Sequence, residues 1–155
     1  MSALTDFLEN HWIDFLLRGQ ALGIAGASAG AGSGPTQVWV ALFTGAPGEA
    51  GGGTEVTGAG YARIAVPCNM ASWAGTQGAG TTTASTGTSG QTSNNAAVTY
   101  GAPTADWGNI THAAIMDALT GGNMLLQGAL AAPKNVLNGN PAPSFPAGSL
   151  VMAFA

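Results

Sequence analysis

"NITHAAIMDALTGGNMLLQGAL", residues 109–130, sets two apolar, strand-like runs on either side of a short polar reversal. Gly121-Gly122 supplies the positive φ angles that a tight turn needs, so the spacing predicts a β-hairpin. On its first strand Ile110, His112, Ala114 and Met116 share one side, and Thr111, Ala113, Ile115 and Asp117 the other. Upstream, "QVWVALFT" (37–44) is β-branched and aromatic on both alternating faces, Val38, Val40, Leu42 and Trp39, Ala41, Phe43. Such a strand must be covered on both sides, by a second sheet on one face and by a helix or a neighbour on the other.

The flanking segments repeat the theme. "YARIAVP" (61–67) alternates, with Ile64 and Val66 expected inward and Arg63 facing away. "NAAVTYGAP" (95–103) resumes β character, "PKNVLNGN" (133–140) holds a turn at Asn138-Gly139, and "SLVMAFA" (149–155) sets Leu150, Met152 and Phe154 on one face. "GAPGEAGGGTEVTGAG" (45–60) reads as a loop of turn formers. Residues 74–94 are low-complexity Gly/Thr/Ser, expected as a long exposed loop or a weakly patterned hairpin.

The chain's start is different. Ser2 or Thr5 can cap a helix through about Gly19, with Asp6 and Glu9 in the early turns where the dipole favours anions. Leu4, Phe7, Leu8, His11, Trp12, Phe15 and Leu16 form one broad apolar face, expected to dock on the chain's own sheet, while Ile13 and Leu17 lie nearly opposite. The expected organisation is an N-terminal amphipathic helix or arm at 1–24, a Gly/Ala linker at 25–34, and a β domain at 35–155 with the Thr/Gly-rich loop at 74–94. The fold class is mainly β, an antiparallel β-sandwich of jelly-roll or immunoglobulin-like type with one N-terminal α-helix.

Composition narrows the function. The 155 residues suit a single domain with a real core. Only 6% of them are charged, against ~25% in an average soluble domain. Three basic residues cannot neutralise a run of phosphates or form a basic membrane patch, so neither nucleic acid nor membrane is an expected partner. Low repulsion between copies favours association. Cys68 stands alone and His11 and His112 are far apart, so neither a disulfide framework nor a metal site is expected, and no cofactor is implied. The N-terminus lacks a basic leader and carries acids within its apolar run, unlike a secretory signal. No stretch reaches the roughly 18 apolar residues that span a bilayer.

The search for catalysis also comes back empty. Gly26-Ala27-Ser28-Ala29-Gly30 formally matches a nucleophile elbow, but that motif sits between a strand and a helix, whereas here a helix precedes and a strand follows. His112 and Asp117 fall on opposite faces of their strand, and no nucleophile or metal partner is nominated for the histidine. Asp106 and Asp117 are better read as turn residues accepting backbone N–H bonds at the two strand ends, with His112 a half-buried ring held by a backbone carbonyl. A glycan hydrolase would need carboxylates paired at a defined separation, and the spacing offers none. The chain is expected not to be an enzyme.

Taken together, "VWVALFTGAP", "GGGTEVTGAGYARIAV", "SNNAAVTYGAPTADWGNITHAAIMDALTGGNMLLQGAL", "PKNVLNGN…SFPAGSL" and the leading "LTDFLENHWIDFLLRG" resemble a family of small tailed-phage virion proteins. The resemblance runs in order along nearly the whole chain, departing at 25–34 and 74–94, which are longer here. Members are commonly labelled tail-fibre-like, and related small β-sandwich proteins serve as cement or decoration subunits on phage heads. The resemblance implies a virion structural role without catalytic residues.

The leading expectation is a capsid decoration protein, made in the bacterial host's cytoplasm and placed on the outer surface of the particle. As a dimer or trimer it would bridge and stabilise major capsid subunits, through many weak, symmetry-repeated contacts. Trp12, Ile13, Phe15 and Leu17 are the residues expected to meet partners, with the 25–34 linker as a conforming arm. Trp39 and Trp73 are candidates for either an interface or the core. The alternative is a tail fibre or tail adaptor that contacts tail proteins and presents the Thr/Ser/Asn-rich stretch near 76–95 to a host surface glycan.

Overall fold

A computed structural model of the chain describes residues 4–24 and 34–154. The nucleophile-elbow match at 26–30 and nearly all of the 25–34 linker lie outside the described residues. The order is α1 (Asp6–Arg18), β1 (Gln37–Gly45), β2 (Thr54–Glu55), β3 (Ile64–Pro67), β4 (Gln91–Ser93), β5 (Val98–Thr99), β6 (Gly108–Met116), β7 (Met124–Val136), β8 (Ser144–Phe145) and β9 (Val151–Ala153). The fold is mainly β and antiparallel with one N-terminal helix, as the sequence predicts. The residues group into two compact units, each assembled from separated stretches of chain: 1–37 with 67–98 and 145–155, and 38–66 with 99–144.

The second unit is built on the predicted hairpin. β6 and β7 pair antiparallel from Met116↔Met124 to Gly108↔Val136, and Gly121 and Gly122 at the reversal hold φ of 61° and 72°. β1 adds to the other side of β6 in the register Trp39↔Met116 to Phe43↔His112, and β2 and β3 both pair with β1. The doubly apolar pattern of β1 is explained by burial of both its faces. Val38, Val40 and Leu42 are buried on one side; on the other, Ala41 and Phe43 form a cluster with Ala114 and Met116, with Trp39 and Met124 packed against it. Tyr100, Tyr61 and Trp107 make an aromatic group in the same unit, with ring centroids 5.4–6.3 Å apart. Tyr100 donates its hydroxyl proton to the Val40 carbonyl, and the Trp107 indole donates to the Ala59 carbonyl. Both polar tips are therefore satisfied in an apolar setting.

The first unit holds the helix, and here the sequence reading of its faces is reversed. Thr5 caps α1 by accepting the Leu8 N–H, and Gly19 ends it at φ 67°. A side chain at Gly19 would be strained at that φ and would also run into the Cys68 carbonyl at 2.5 Å. Ile13 and Leu17 are completely buried together with Asn10, Asp14 and Arg18, whereas Leu4, Phe7 and Trp12 are exposed. The physical reason lies in residues 74–94. Rather than standing free, this stretch lies along the polar side of α1 and supplies the hydrogen bonds that let polar groups be buried. Asn10 donates to the Gly87 carbonyl and accepts from the Thr76 hydroxyl. Asp14 accepts from the Ser85 N–H and hydroxyl.

Arg18, four residues after Asp14, closes the arrangement. Its guanidinium donates to the Asp14 carboxylate, the Ser85 hydroxyl at 3.0 Å, and the carbonyls of Trp73 at 3.1 Å and Thr83 at 2.6 Å. The side chain is fully shielded from water. On the far side, β4 pairs with β9 in the register Gln91↔Ala153, Thr92↔Met152, Ser93↔Val151, burying Thr92 and Met152. Removing one member of a buried ion pair leaves an uncompensated charge and typically costs ~3–5 kcal/mol. Arg18→Met is therefore expected to lower the urea unfolding free energy by about that amount and to make residues 75–90 protease-sensitive. The double variant Arg18→Met/Asp14→Leu should recover part of the loss. Wild-type stability and protection in the single variant would disprove the anchoring role.

Candidate functional site

The acid–base residues of residues 105–123 are spread apart by the fold. Asp106 accepts the Asn138 N–H at 2.8 Å, and Asp117 accepts the Asn123 N–H at 2.6 Å and its side-chain amide at 2.8 Å. Each aspartate braces a turn at one end of β6, as the sequence predicts. The Asn123 amide, then its backbone N–H, hold the Asp117 carboxyl below the ordinary range. His112 is half-buried, but its Nδ1 meets the Thr111 hydroxyl at 2.9 Å rather than a backbone carbonyl. Among the described residues no three His, Cys, Asp or Glu side chains come together as metal ligands. Burial pushes the Cys68 thiol up to about 11, which keeps it protonated and a poor nucleophile.

The densest set of ionisable groups sits elsewhere, at Glu55, Tyr61 and Arg63. Arg63 grips Glu55 through two parallel bonds of 2.8 Å, Nε to Oε1 and Nη2 to Oε2. Its Nη1 donates to the carbonyls of Ala118 at 2.6 Å and Gly121 at 2.8 Å, the tip of the β6–β7 hairpin. Tyr61 donates to Glu55 and accepts the Leu42 N–H. Arg63 was expected to face away from the core; it is buried, because a carboxylate and two carbonyls use its donors. The Arg63 hydrogen bond holds the Glu55 carboxyl below its ordinary range, while burial pushes the Tyr61 hydroxyl well up. With every ionised group engaged inside the fold, this cluster is a latch on the hairpin tip. A signal for it was present in the sequence: an acid and a base eight residues apart across a Gly-containing loop, in a chain nearly without charge.

The residues singled out as partner contacts divide by burial. Ile13, Leu17 and Trp73 are fully enclosed by the chain's own atoms, and the Trp73 indole N–H has no hydrogen-bond partner among the described residues. Phe15 and Trp39 are half-buried. Trp12 keeps 37% of its surface, and Leu4 and Phe7, outside that set, keep 43% and 55%. Trp12 lies on the side of α1 opposite Asp14 and meets Phe15 (5.9 Å), whereas Phe7, about two turns before Asp14 on that residue's own side, meets His11 (4.1 Å) at the helix's N-terminal end. The His11 Nδ1 lies 2.7 Å from the Phe7 carbonyl, fixing that ring against its own helix.

The described residues thus hold α1 by its Asn10, Asp14 and Arg18 side chains and leave Leu4, Phe7 and Trp12 exposed. Residues 3–153 match the family described as podophage GP4 fiber I protein gp80. The chain belongs to that family. Membership makes it a structural component of a phage particle, and the match includes 25–34 and 74–94, the two stretches at which the sequence departs from the more general resemblance. No individual curated protein matches the chain.

For this fiber-family chain the latch makes pH the simplest probe. Folding lowers the Glu55 pKa from its ordinary value of 4.5, so the stabilisation is complete above that value and disappears as pH falls through the folded one. The melting temperature should therefore drop on acidification below about pH 4.5 and be flat in this respect near neutrality. Glu55→Gln is expected to melt lower at neutral pH and to show a shallower acid slope. Parallel curves for the two proteins would remove Glu55 from the account.

Proposed function

We propose that this chain is a non-enzymatic fibre component of a podophage tail, displayed on the outside of the particle and fixed to neighbouring virion subunits through the exposed apolar groups of α1 and its N-terminal end. The observation that carries the reading is the exposure of Trp12, on the side of α1 opposite Asp14, together with that of Leu4 and Phe7 at the helix's N-terminal end, beyond the stretch held by Asp14 and Arg18. Burying side chains of this size contributes ~1.5–3 kcal/mol each, enough for a small interface to hold once it is repeated by the symmetry of the particle. The absence of an assembled acid–base group around His112, and the use of Asp106 and Asp117 as turn braces, support a role without catalysis. The family's description as a fiber protein favours the tail over decoration of the head. The decoration reading, in which copies bridge major capsid subunits, uses the same helix and the same lack of repulsion and differs in location.

Location decides between them. Immunogold labelling of intact particles is expected to mark the tail; label spread over the head would replace the fibre reading by decoration. Leu4→Ser/Phe7→Ser should stay folded, because 43% and 55% of these residues are exposed, yet be lost from assembled particles. Normal incorporation of that variant would refute the helix as the attachment element. Hydrolysis of purified host envelope by the wild-type chain, abolished by Asp106→Ala, would overturn the non-enzymatic reading.

A further inference from the structure

Residues 74–94 do more than cover the helix: with the β4–β9 ladder they enclose an open cavity of about 250 Å³ in the first unit. Because Ser93 pairs with Val151 across the ladder, and Gln91 lies two residues from Ser93, these three residues share one face; Gln91 and Val151 are exposed, Ser93 is buried at the inner end, and Thr92 also borders the cavity. Val151 is 54% exposed at the cavity wall. The Gln91 amide and Ser93 hydroxyl make no side-chain hydrogen bond to the described residues, and Gln77 commits its Nε2 to the Ala84 carbonyl while its Oε1 stays free. The rest of the wall is held in place. Thr76 bonds Asn10 and the Gly87 N–H, and Ser89 donates to the Thr76 carbonyl. Backbone of Gly75, Gly78 and Gly148 leaves the floor without side chains.

The chemistry of this lining selects its ligand. No charged side chain lines the cavity, so an anion or cation would lose water without gaining a partner. A wholly apolar molecule would strand the Gln91 amide, the Ser93 hydroxyl and the Gln77 carbonyl. A neutral polyol with a hydroxyl edge and a C–H face satisfies both parts, its hydroxyls on Gln91, Ser93 and Gln77 and its C–H face on Val151. The volume lies just under the ~300–1,000 Å³ of ordinary ligand pockets, which limits the occupant to about one sugar ring. We propose that this cavity is a subsite for a single neutral sugar residue. Its biological occasion, a glycan on the host surface, rests on the fibre reading; the site itself rests on the geometry alone.

The test is protein-observed NMR on the full chain, titrated separately with glucose, galactose, mannose, rhamnose and N-acetylglucosamine, with glucuronate as a charged control. At least one neutral sugar should shift the amides of Gly75 and Gly78 and the side-chain amide of Gln91 saturably, while glucuronate does not. Gln91→Ala and Val151→Asp alter exposed positions and should leave the melting temperature unchanged, each weakening that sugar about tenfold. No shift with any neutral sugar, saturable shifts outside the cavity, equal binding of glucuronate, or wild-type affinity in both variants would each overturn the proposal. Sugar binding by a chain located on the head would sink the fibre reading and leave the site standing. A tail-located chain without sugar binding would do the reverse.

Discussion

A guanidinium taken out of water must find an acceptor for its N–H groups and a negative charge to balance its own, and each of the two units is organised around one that has done so. In the first, Arg18 ties α1 to the Thr/Ser-rich stretch through Asp14, Ser85 and the carbonyls of Trp73 and Thr83. In the second, Arg63 ties β2 to the hairpin tip through Glu55 and the carbonyls of Ala118 and Gly121. The chain has only three basic residues, and the third, Lys134, is exposed on β7. Charge is scarce here and concentrated at joints. Outside these joints the surface is mostly hydroxyls, amides and backbone, with the net charge of −4 carried by Asp6, Glu9, Glu49, Asp106 and Asp117 against Lys134, a balance that does not attract phosphate.

That distribution separates the surfaces by chemistry. Leu4, Phe7 and Trp12 offer large apolar groups suited to permanent burial, whereas the cavity beside the β4–β9 ladder offers neutral hydrogen-bonding groups suited to a hydrated ligand. Both lie in the first unit, while the second contains the long hairpin and the sheet that gives it a core. In the proposed fibre role α1 would serve both surfaces, with Trp12 turned outward and Asn10 held against Thr76, a residue of the cavity wall.

What could be read from the sequence was whatever is encoded between near neighbours. The hairpin at 109–130, the doubly buried β1, the Thr5 cap and the two turn aspartates follow from period, glycine placement and local hydrogen bonding. The helix orientation did not follow. A hydrophobic-face count ranks Leu4, Phe7 and Trp12 with the core, and only the partners of Asn10, Asp14 and Arg18, 55 to 77 residues away along the chain, make the polar side the buried one. Arg63 was misjudged for the same reason, since a charge reads as exposed until its acceptors are known. The cavity depends on the β4–β9 register, which joins residues 91–93 to 151–153 and has no local signature. Ile13 and Leu17 were expected to meet a partner, and the chain's own atoms enclose them instead, because they flank the polar side that residues 74–94 cover.

The interleaving of the two units along the chain fixes an order of events during synthesis. Every residue of the second unit, up to Ser144, has been polymerised before the first unit receives its closing segment, 145–155. As the polypeptide leaves the ribosome, β4 must wait for β9, some sixty residues downstream, with its ladder edge unpaired. That edge is built from Gln91, Thr92 and Ser93, uncharged but strongly hydrated side chains, which makes the waiting strand a poor template for aggregation at the stage when the nascent chain is most exposed to it.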